Sequence, residues 1–240
     1  MTKRLTIDVC VSPYLYPVYH REETIVVIID ILRATSAMCT AFHYGVDKMI
    51  PVATIEEAMD YKQQGFLVGA ERNGIQLEGV DFGNSPYSYM SEKIKGKTIV
   101  LSTTNGTQAI EVSKHAHKVV IGSFVNMTAL CKWLQVQNKN ILLLCSGWKN
   151  RVSLEDTLFA GAVTEQLVKN SDSFKTGDGA LSASYLFESA RHNPYKYMRN
   201  ASHAERLAAL GLKEDIRYCL TPDQTNVIPV LEGKYLVKMS

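Results

Sequence analysis

The chain has 240 residues, 46% hydrophobic and 21% charged, which supplies enough apolar surface for a sizeable core and excludes a disordered or fibrous protein. Lys and Arg number 26 against 24 Asp and Glu, and no window concentrates basic residues with aromatics, so nucleic acid is not an expected partner. The five cysteines (Cys10, Cys39, Cys131, Cys145, Cys219) are odd in number and lack a C-x-x-C pair, which argues against a disulfide framework or zinc knuckle and for a reducing, cytoplasmic compartment. No run approaches membrane-span length, and residues 1–8 lack the apolar centre of a signal peptide.

Between about residues 25 and 170, short β-branched runs alternate with amphipathic segments of helical period, the pattern of βα units around a largely parallel sheet. Residues 24–29 form a continuous apolar strand, and the helix after it buries Ala37, Met38, Ala41 and Phe42 before Gly45 stops it. A second strand at 49–54 leads into a helix over 55–64, capped by Thr54 and ended by Gly65, and residues 66–70 form a third strand. A helix is predicted over 85–95, then a strand over 97–103 that runs through a turn into a helix reaching Ala116. Residues 118–124 and 140–145 lack polar alternation and read as interior strands, separated by a helix carrying Leu130, Trp133 and Leu134. A long helix runs from Ser153 to Val168. The polar segment 169–178 is the best candidate for a subdivision of what otherwise reads as one domain over 1–240. Helix continues to Leu210 with a break at Asn193 and Pro194, and a β-hairpin of 227–230 and 234–238 closes the chain. The expected fold is three-layer α/β/α with a largely parallel mixed sheet.

Several segments carry candidate chemistry. Asp30 ends the apolar strand at 24–29, and Arg33, Thr35 and Ser36 lead into the following helix; a strand-end carboxylate beside a helix N-terminus is where open α/β sheets bind anions. A simple turn cap with a surface arginine explains the same residues about as well. The STTNGT turn (102–107) places four hydroxyls in six positions around Asn105 and Gly106, which suggests a phosphate cradle through Thr103, Thr104, Asn105, Gly106 and Thr107. It lacks the lysine and spacing of a P-loop. Glu71, Arg72, Asp81 and Asn84 lie in glycine-flanked loops that suit a metal and anion site, although solvated turns account better for these loops taken alone. Glu155 and Asp156 open the long helix, where Ser153 with Asp156 resembles a capping box and the helix dipole favours acids. Cys145 and Arg151 have the C-x5-R spacing of cysteine-dependent phosphatases, a short and common match. The histidines show no metal-ligand spacing.

Taken in order, the blocks VVIIDILRATS (26–36), GAER (69–72), DFGNSP (81–86), TTNGT (103–107), SLED (153–156) with Ala160 and Gly161, and DIRYC (215–219) resemble successive signatures of the 2-phosphosulfolactate phosphatase family. The resemblance spans most of the chain. It implies magnesium-dependent hydrolysis of 2-phospho-3-sulfolactate to 3-sulfolactate and phosphate, a step known from coenzyme M biosynthesis. The expectations that follow are a Mg²⁺ site shared by Asp30, Glu71, Glu155 and Asp156, with Asp30, Glu155 and Asp156 catalytic. Arg33, Thr35, Ser36, Arg72, Asn84 and the 103–107 turn are expected to hold a small anionic phosphorylated substrate. One departure is the basic loop of Lys149, Asn150 and Arg151. Haloacid-dehalogenase phosphatases carry an acid two residues after their nucleophilic aspartate; that position here is Leu32, so attack by a metal-activated water is expected, with Asp30 as a ligand. Two alternatives stand beside this reading: an anion- or nucleotide-binding module without catalysis, and a cysteine-nucleophile phosphatase using Cys145 and Arg151. A homodimer is compatible with such a sheet, although a single sequence does not identify an exposed apolar stripe that would mark the interface.

Overall fold

A computed structural model describes residues 4–103, 105–169 and 173–239. In chain order, the first half contains β1 (Leu5–Cys10), α1 (Tyr16–Tyr19), β2 (Thr24–Ile29), α2 (Ala34–His43), β3 (Lys48–Val52), α3 (Ile55–Gln63), β4 (Leu67–Arg72), β5 (Ile75–Gln76), β6 (Thr98–Ser102) and α4 (Gly106–Ser113). The second half contains β7 (Lys118–Gly122), α5 (Met127–Gln135), β8 (Asn140–Cys145), α6 (Leu154–Lys169), β9 (Phe174–Thr176), α7 (Asp178–Ala190), α8 (Pro194–Met198), α9 (Ser202–Ala209), α10 (Lys213–Cys219) and the hairpin β10 (Pro229–Glu232) and β11 (Tyr235–Lys238).

The fold is α/β, with a mostly parallel mixed sheet ordered β5-β4-β6-β3-β11-β10-β7-β2-β8-β1-β9. β2 is buried along its whole length because parallel strands lie on both sides of it, β7 and β8, with helices above and below. The hairpin enters the middle of the sheet. β10 pairs antiparallel with β7 through Val230 and Val120, and β11 pairs antiparallel with β3 through Leu236 and Met49. It thereby joins two parallel sets, β4-β6-β3 and β7-β2-β8-β1-β9.

One core cluster unites side chains of both sets, Val26, Ile28 and Leu144 with Met49, Ile99 and Leu101, around Ala37, Met38 and Ala41 of α2 and Ala109 of α4. The sheet therefore curves about these two helices. On its outer faces a second cluster packs β1, β2 and β8 against α5, α6 and α7, and a smaller one sets Ala58 of α3 on β3, β4 and β6. In a flat drawing the two parallel sets run in opposite directions across the antiparallel hairpin. A twist of about 20–25° per strand pair, accumulated over the six pairs between β4 and β2, is enough to turn the carboxyl ends of both onto one cleft.

Local signals account for most boundaries. Thr54 Oγ1 accepts from Glu57 N at 3.1 Å to start α3, and Gly65, at φ 88°, follows its end. Residues 85–95 differ from expectation: they form two short 3₁₀ turns, Pro86–Tyr89 and Glu92–Ile94. Tyr89 is drawn into the core, where its hydroxyl donates to Gly83 O at 2.8 Å, and Ser91 Oγ caps a fresh turn by accepting from Lys93 N. The polar segment after α6 contains β9, which pairs with β1. β1 was not foreseen as a strand, although Thr6 and Asp8 alternate with apolar residues as in a half-buried strand.

Candidate active site

The chain leaves the carboxyl end of β2 at Asp30, whose backbone N–H donates to Thr35 Oγ1 at 3.2 Å while its carbonyl accepts from Thr35 N at 2.9 Å. This turn, in which the Leu32–Arg33 peptide bond is cis, carries Asp30, Leu32 and Arg33 to the floor of a cleft. The cleft has about 410 Å³ of space, part of it open to solvent. Glu71 from the end of β4, Asn84, Asn105 at the start of α4, Trp148 from the loop after β8, and His203, Arg206 and Leu207 of α9 complete its walls.

Four acids gather here: Asp30, Glu71, Glu155 and Asp156. Asp30 is 9% exposed; burial, with the neighbouring charges of Glu71 and Glu155, pushes its carboxyl up to about 7, against the opposing influence of His203 and of a hydrogen bond from Gly106 N–H. Burial would also raise Glu155, but His203 outweighs it: Nδ1 lies 2.7 Å from Glu155 Oε1 and holds the glutamate below the usual carboxylate range. Burial and the charges of Glu155 and Asp30 raise Asp156 well above its ordinary value. Its oxygens accept from Ile31 N at 3.0 Å and Gly147 N at 3.3 Å, tying the loops after β2 and β8 together. The helix cap is Ser153, whose Oγ accepts from Asp156 N at 3.5 Å. Glu71 Oε2 accepts from Gly74 N at 2.8 Å and steadies the β4–β5 turn.

The acids expected to share a magnesium site are therefore neighbours, although among the described residues no three His, Cys, Asp or Glu side chains form a ready-made metal cage. In donor chemistry Asp30, Glu71 and Glu155 fit a small hard cation: they are oxygen ligands, and the repulsion that raises Asp30 is what such an ion relieves. Asp156 is committed to backbone donors and fits least.

The anion-binding expectations divide. Arg33 is buried in the cleft, but Nη1 donates to Asp215 Oδ2 at 2.7 Å and Nη2 to Gly74 O at 2.7 Å. Arg72 does not line the cleft; neighbours on a strand face opposite ways, so Glu71 turns inward while Arg72 reaches back to the Glu71 carbonyl at 3.4 Å. Ser36 is buried against Ile31 O and Ser123 Oγ, and Thr35 braces the Asp30 turn, so both are structural. Thr103 and Thr107 spend their hydroxyls on each other's backbone to start α4. Asn105 lines the cleft, Gly106 addresses Asp30, and Thr104 lies outside the described residues. Asn84 also lines the cleft, with Oδ1 buried and, among the described residues, without a hydrogen-bond partner. Asp81 is held elsewhere: Lys62 Nζ reaches it at 2.6 Å and Val68 N at 2.8 Å.

Across the chain, the model of the family described as 2-phosphosulpholactate phosphatase matches residues 10–234. Proteins named probable 2-phosphosulfolactate phosphatase from Thermotoga maritima and Caldanaerobacter subterraneus are similar at 44% and 38% identity, covering 88% of this chain and 91% and 89% of their own lengths. One from Clostridium perfringens is 35% identical over 93% of this chain and 92% of its own. The chain belongs to the 2-phosphosulfolactate phosphatase family.

Membership makes it a phosphoric monoester hydrolase and gives the resembling blocks a spatial meaning. VVIIDILRATS supplies the cleft floor, GAER supplies Glu71, SLED supplies Glu155, and DIRYC supplies Asp215, which neutralises Arg33. The cysteine-nucleophile alternative fails on geometry. Cys145 is fully buried at the end of β8, burial and nearby acids keep its thiol well above its ordinary value, and Arg151 is exposed. Sequence reasoning missed His203, Arg206 and Trp148. For the first two the legible signal was spacing: His203, Arg206 and Leu207 fall at i, i+3 and i+4 on α9 and so share a face.

Proposed function

We propose that this protein hydrolyses 2-phospho-3-sulfolactate to 3-sulfolactate and phosphate with Mg²⁺ as its cofactor, in the cytoplasm. The observation that carries the reading is the buried carboxylate of Asp30, crowded by Glu71 and Glu155 at the floor of a cleft whose wall holds Arg206, in a chain similar along nearly its whole length to proteins named for this reaction. All five cysteines are free and buried, which suits a reducing compartment, and among the described residues no helix is long and apolar enough to cross a membrane.

Asp30, Glu71 and Glu155 are the residues that would hold the ion. Bound there, such an ion would supply positive charge to offset that on the phosphoryl group. Water attacks phosphorus in line with the ester oxygen; the P–O bond breaks, its electron pair passes to that oxygen, and a proton must arrive to make the sulfolactate hydroxyl. His203 is the group in the cleft suited to deliver it. Glu155 binds Nδ1, which fixes the ring and leaves Nε2 as the nitrogen for proton exchange with substrate.

Phosphate release from synthetic 2-phosphosulfolactate, with magnesium and with chelator, tests the proposal. Turnover that stops in chelator and returns with Mg²⁺ supports it; binding without turnover would leave a binding module. Hydrolysis of a phosphorus-chiral thiophosphate ester in heavy-oxygen water then identifies the nucleophile, because direct attack by water inverts phosphorus whereas two displacements through an aspartyl-phosphate retain its configuration.

A further inference from the structure

Of the two arginines in the cleft, only one is electrostatically satisfied. Arg33 has its carboxylate and its carbonyl. Arg206 has neither: Nη2 is buried without a hydrogen-bond partner, and among the described residues the side chain enters no ion pair. An orphaned buried donor carries a desolvation penalty, larger still on a charged group, so its retention calls for a partner. The guanidinium is also held in place. Its carbon lies 4.3 Å from the centre of the Trp148 ring, and Trp148 is in turn 6.2 Å from the ring of His203 at an interplanar angle of 30°. Stacking covers one face of the guanidinium and leaves its N–H edge for a ligand, an arrangement suited to a planar pair of oxyanion oxygens.

We propose that Arg206, braced on Trp148, anchors a non-transferred oxyanion of the substrate, sulfonate or carboxylate, and thereby sets the specificity of the site. This rests on the functional reading above. The transferred phosphoryl group belongs beside Asp30, where the acids gather, whereas Arg206 enters from α9, a different wall of the cleft. The apolar ring of Trp148 beside it suits the short carbon chain between the anions.

The test compares kcat/KM for three esters in wild-type, Arg206→Gln and Trp148→Ala holoenzymes. They are 2-phosphosulfolactate, 2-phospholactate, which keeps the carboxylate but lacks the sulfonate, and a simple alkyl phosphate with neither. Loss of the anchor should reduce the preference for 2-phosphosulfolactate over alkyl phosphate roughly ten- to hundredfold, chiefly through KM, as expected for one charged hydrogen bond. If the preference over 2-phospholactate collapses too, Arg206 reads sulfonate; if it is retained, Arg206 reads carboxylate. An unchanged preference over alkyl phosphate, or an equal loss on all three esters with KM unaltered, overturns the proposal. Calorimetric binding of 3-sulfolactate provides a readout without turnover and should weaken in Arg206→Gln by a similar factor. A wild-type enzyme inactive on 2-phosphosulfolactate but selective for another anionic ester would sink the functional reading and leave the Arg206 assignment to be judged on that ester.

Discussion

Between about pH 3.8 and 7 the folded protein retains a proton on Asp30 that the unfolded chain has released. More protons on the folded side mean that stability falls as pH rises through that window; the interval corresponds to roughly 4 kcal/mol. Urea titrations of the metal-free protein should show this decline, and Asp30→Asn should remove the share that Asp30 contributes, leaving that of Asp156, while abolishing turnover. In the metal-free wild type, added magnesium should raise the melting temperature more at pH 8 than at pH 5.5. Arg33 behaves differently from a surface anion binder. Its pairing with Asp215 is buried, so Arg33→Ala strands a carboxylate and should cost about 3–5 kcal/mol, seen as an early urea midpoint as well as lost activity. Cys145→Ser should keep most turnover, because the buried thiol touches no substrate path. At this scale the site was half legible. Asp30 and Glu155 stand at a strand end and a helix start, positions that pattern alone reveals, whereas His203 and Arg206 reach the cleft through tertiary packing of a helix far along the chain. The Glu71 and Arg72 pair shows the other limit: which of two adjacent residues faces inward depends on strand register.

Helix α6 delivers Glu155 and Asp156, and its position is set by close packing on α7. A methyl group at Gly161 would lie 1.9 Å from Ala183 O, so the two helices touch backbone to backbone. Gly161→Ala should therefore force them apart, at a cost of about 1–3 kcal/mol or more in thermal unfolding, and should lower kcat by displacing the acids. At Gly106 the tolerance is finer: an added Cβ would stand 3.0 Å from Asp30 Oδ2 and 3.1 Å from Ala34 Cβ. Gly106→Ala should leave the fold intact, as judged by circular dichroism, while weakening magnesium affinity. Most central elements were readable because their apolar periods are long and their ends carry Thr54, Gly45 or Gly65. Two strands at one side of the sheet were not read: β9 has only three residues, whereas β1 carries the alternation of a half-buried strand and was legible but missed. Residues 85–95 misled because Tyr89 and Ile94 imitate helical burial while serving separate turns.

Across the whole molecule, the parallel strands and the closing hairpin follow from sequence pattern, but the place where the hairpin docks does not. Nothing in the local composition of β10 and β11 says that they separate two parallel sets; that depends on which sheet edges remain open once every other strand is placed. Leu236, fully buried and paired with Met49, is the clearest probe. Leu236→Asp should make the protein rapidly cleavable by protease, with sites in both sets.

The same join has a consequence for biosynthesis. On the ribosome, β3 and β7 emerge long before residues 229–238, so each waits with an unpaired edge for a strand not yet made. Completion of the sheet is thus deferred until the hairpin leaves the exit tunnel. Nascent chains arrested before that point are the species most exposed to edge-to-edge aggregation and most in need of a chaperone.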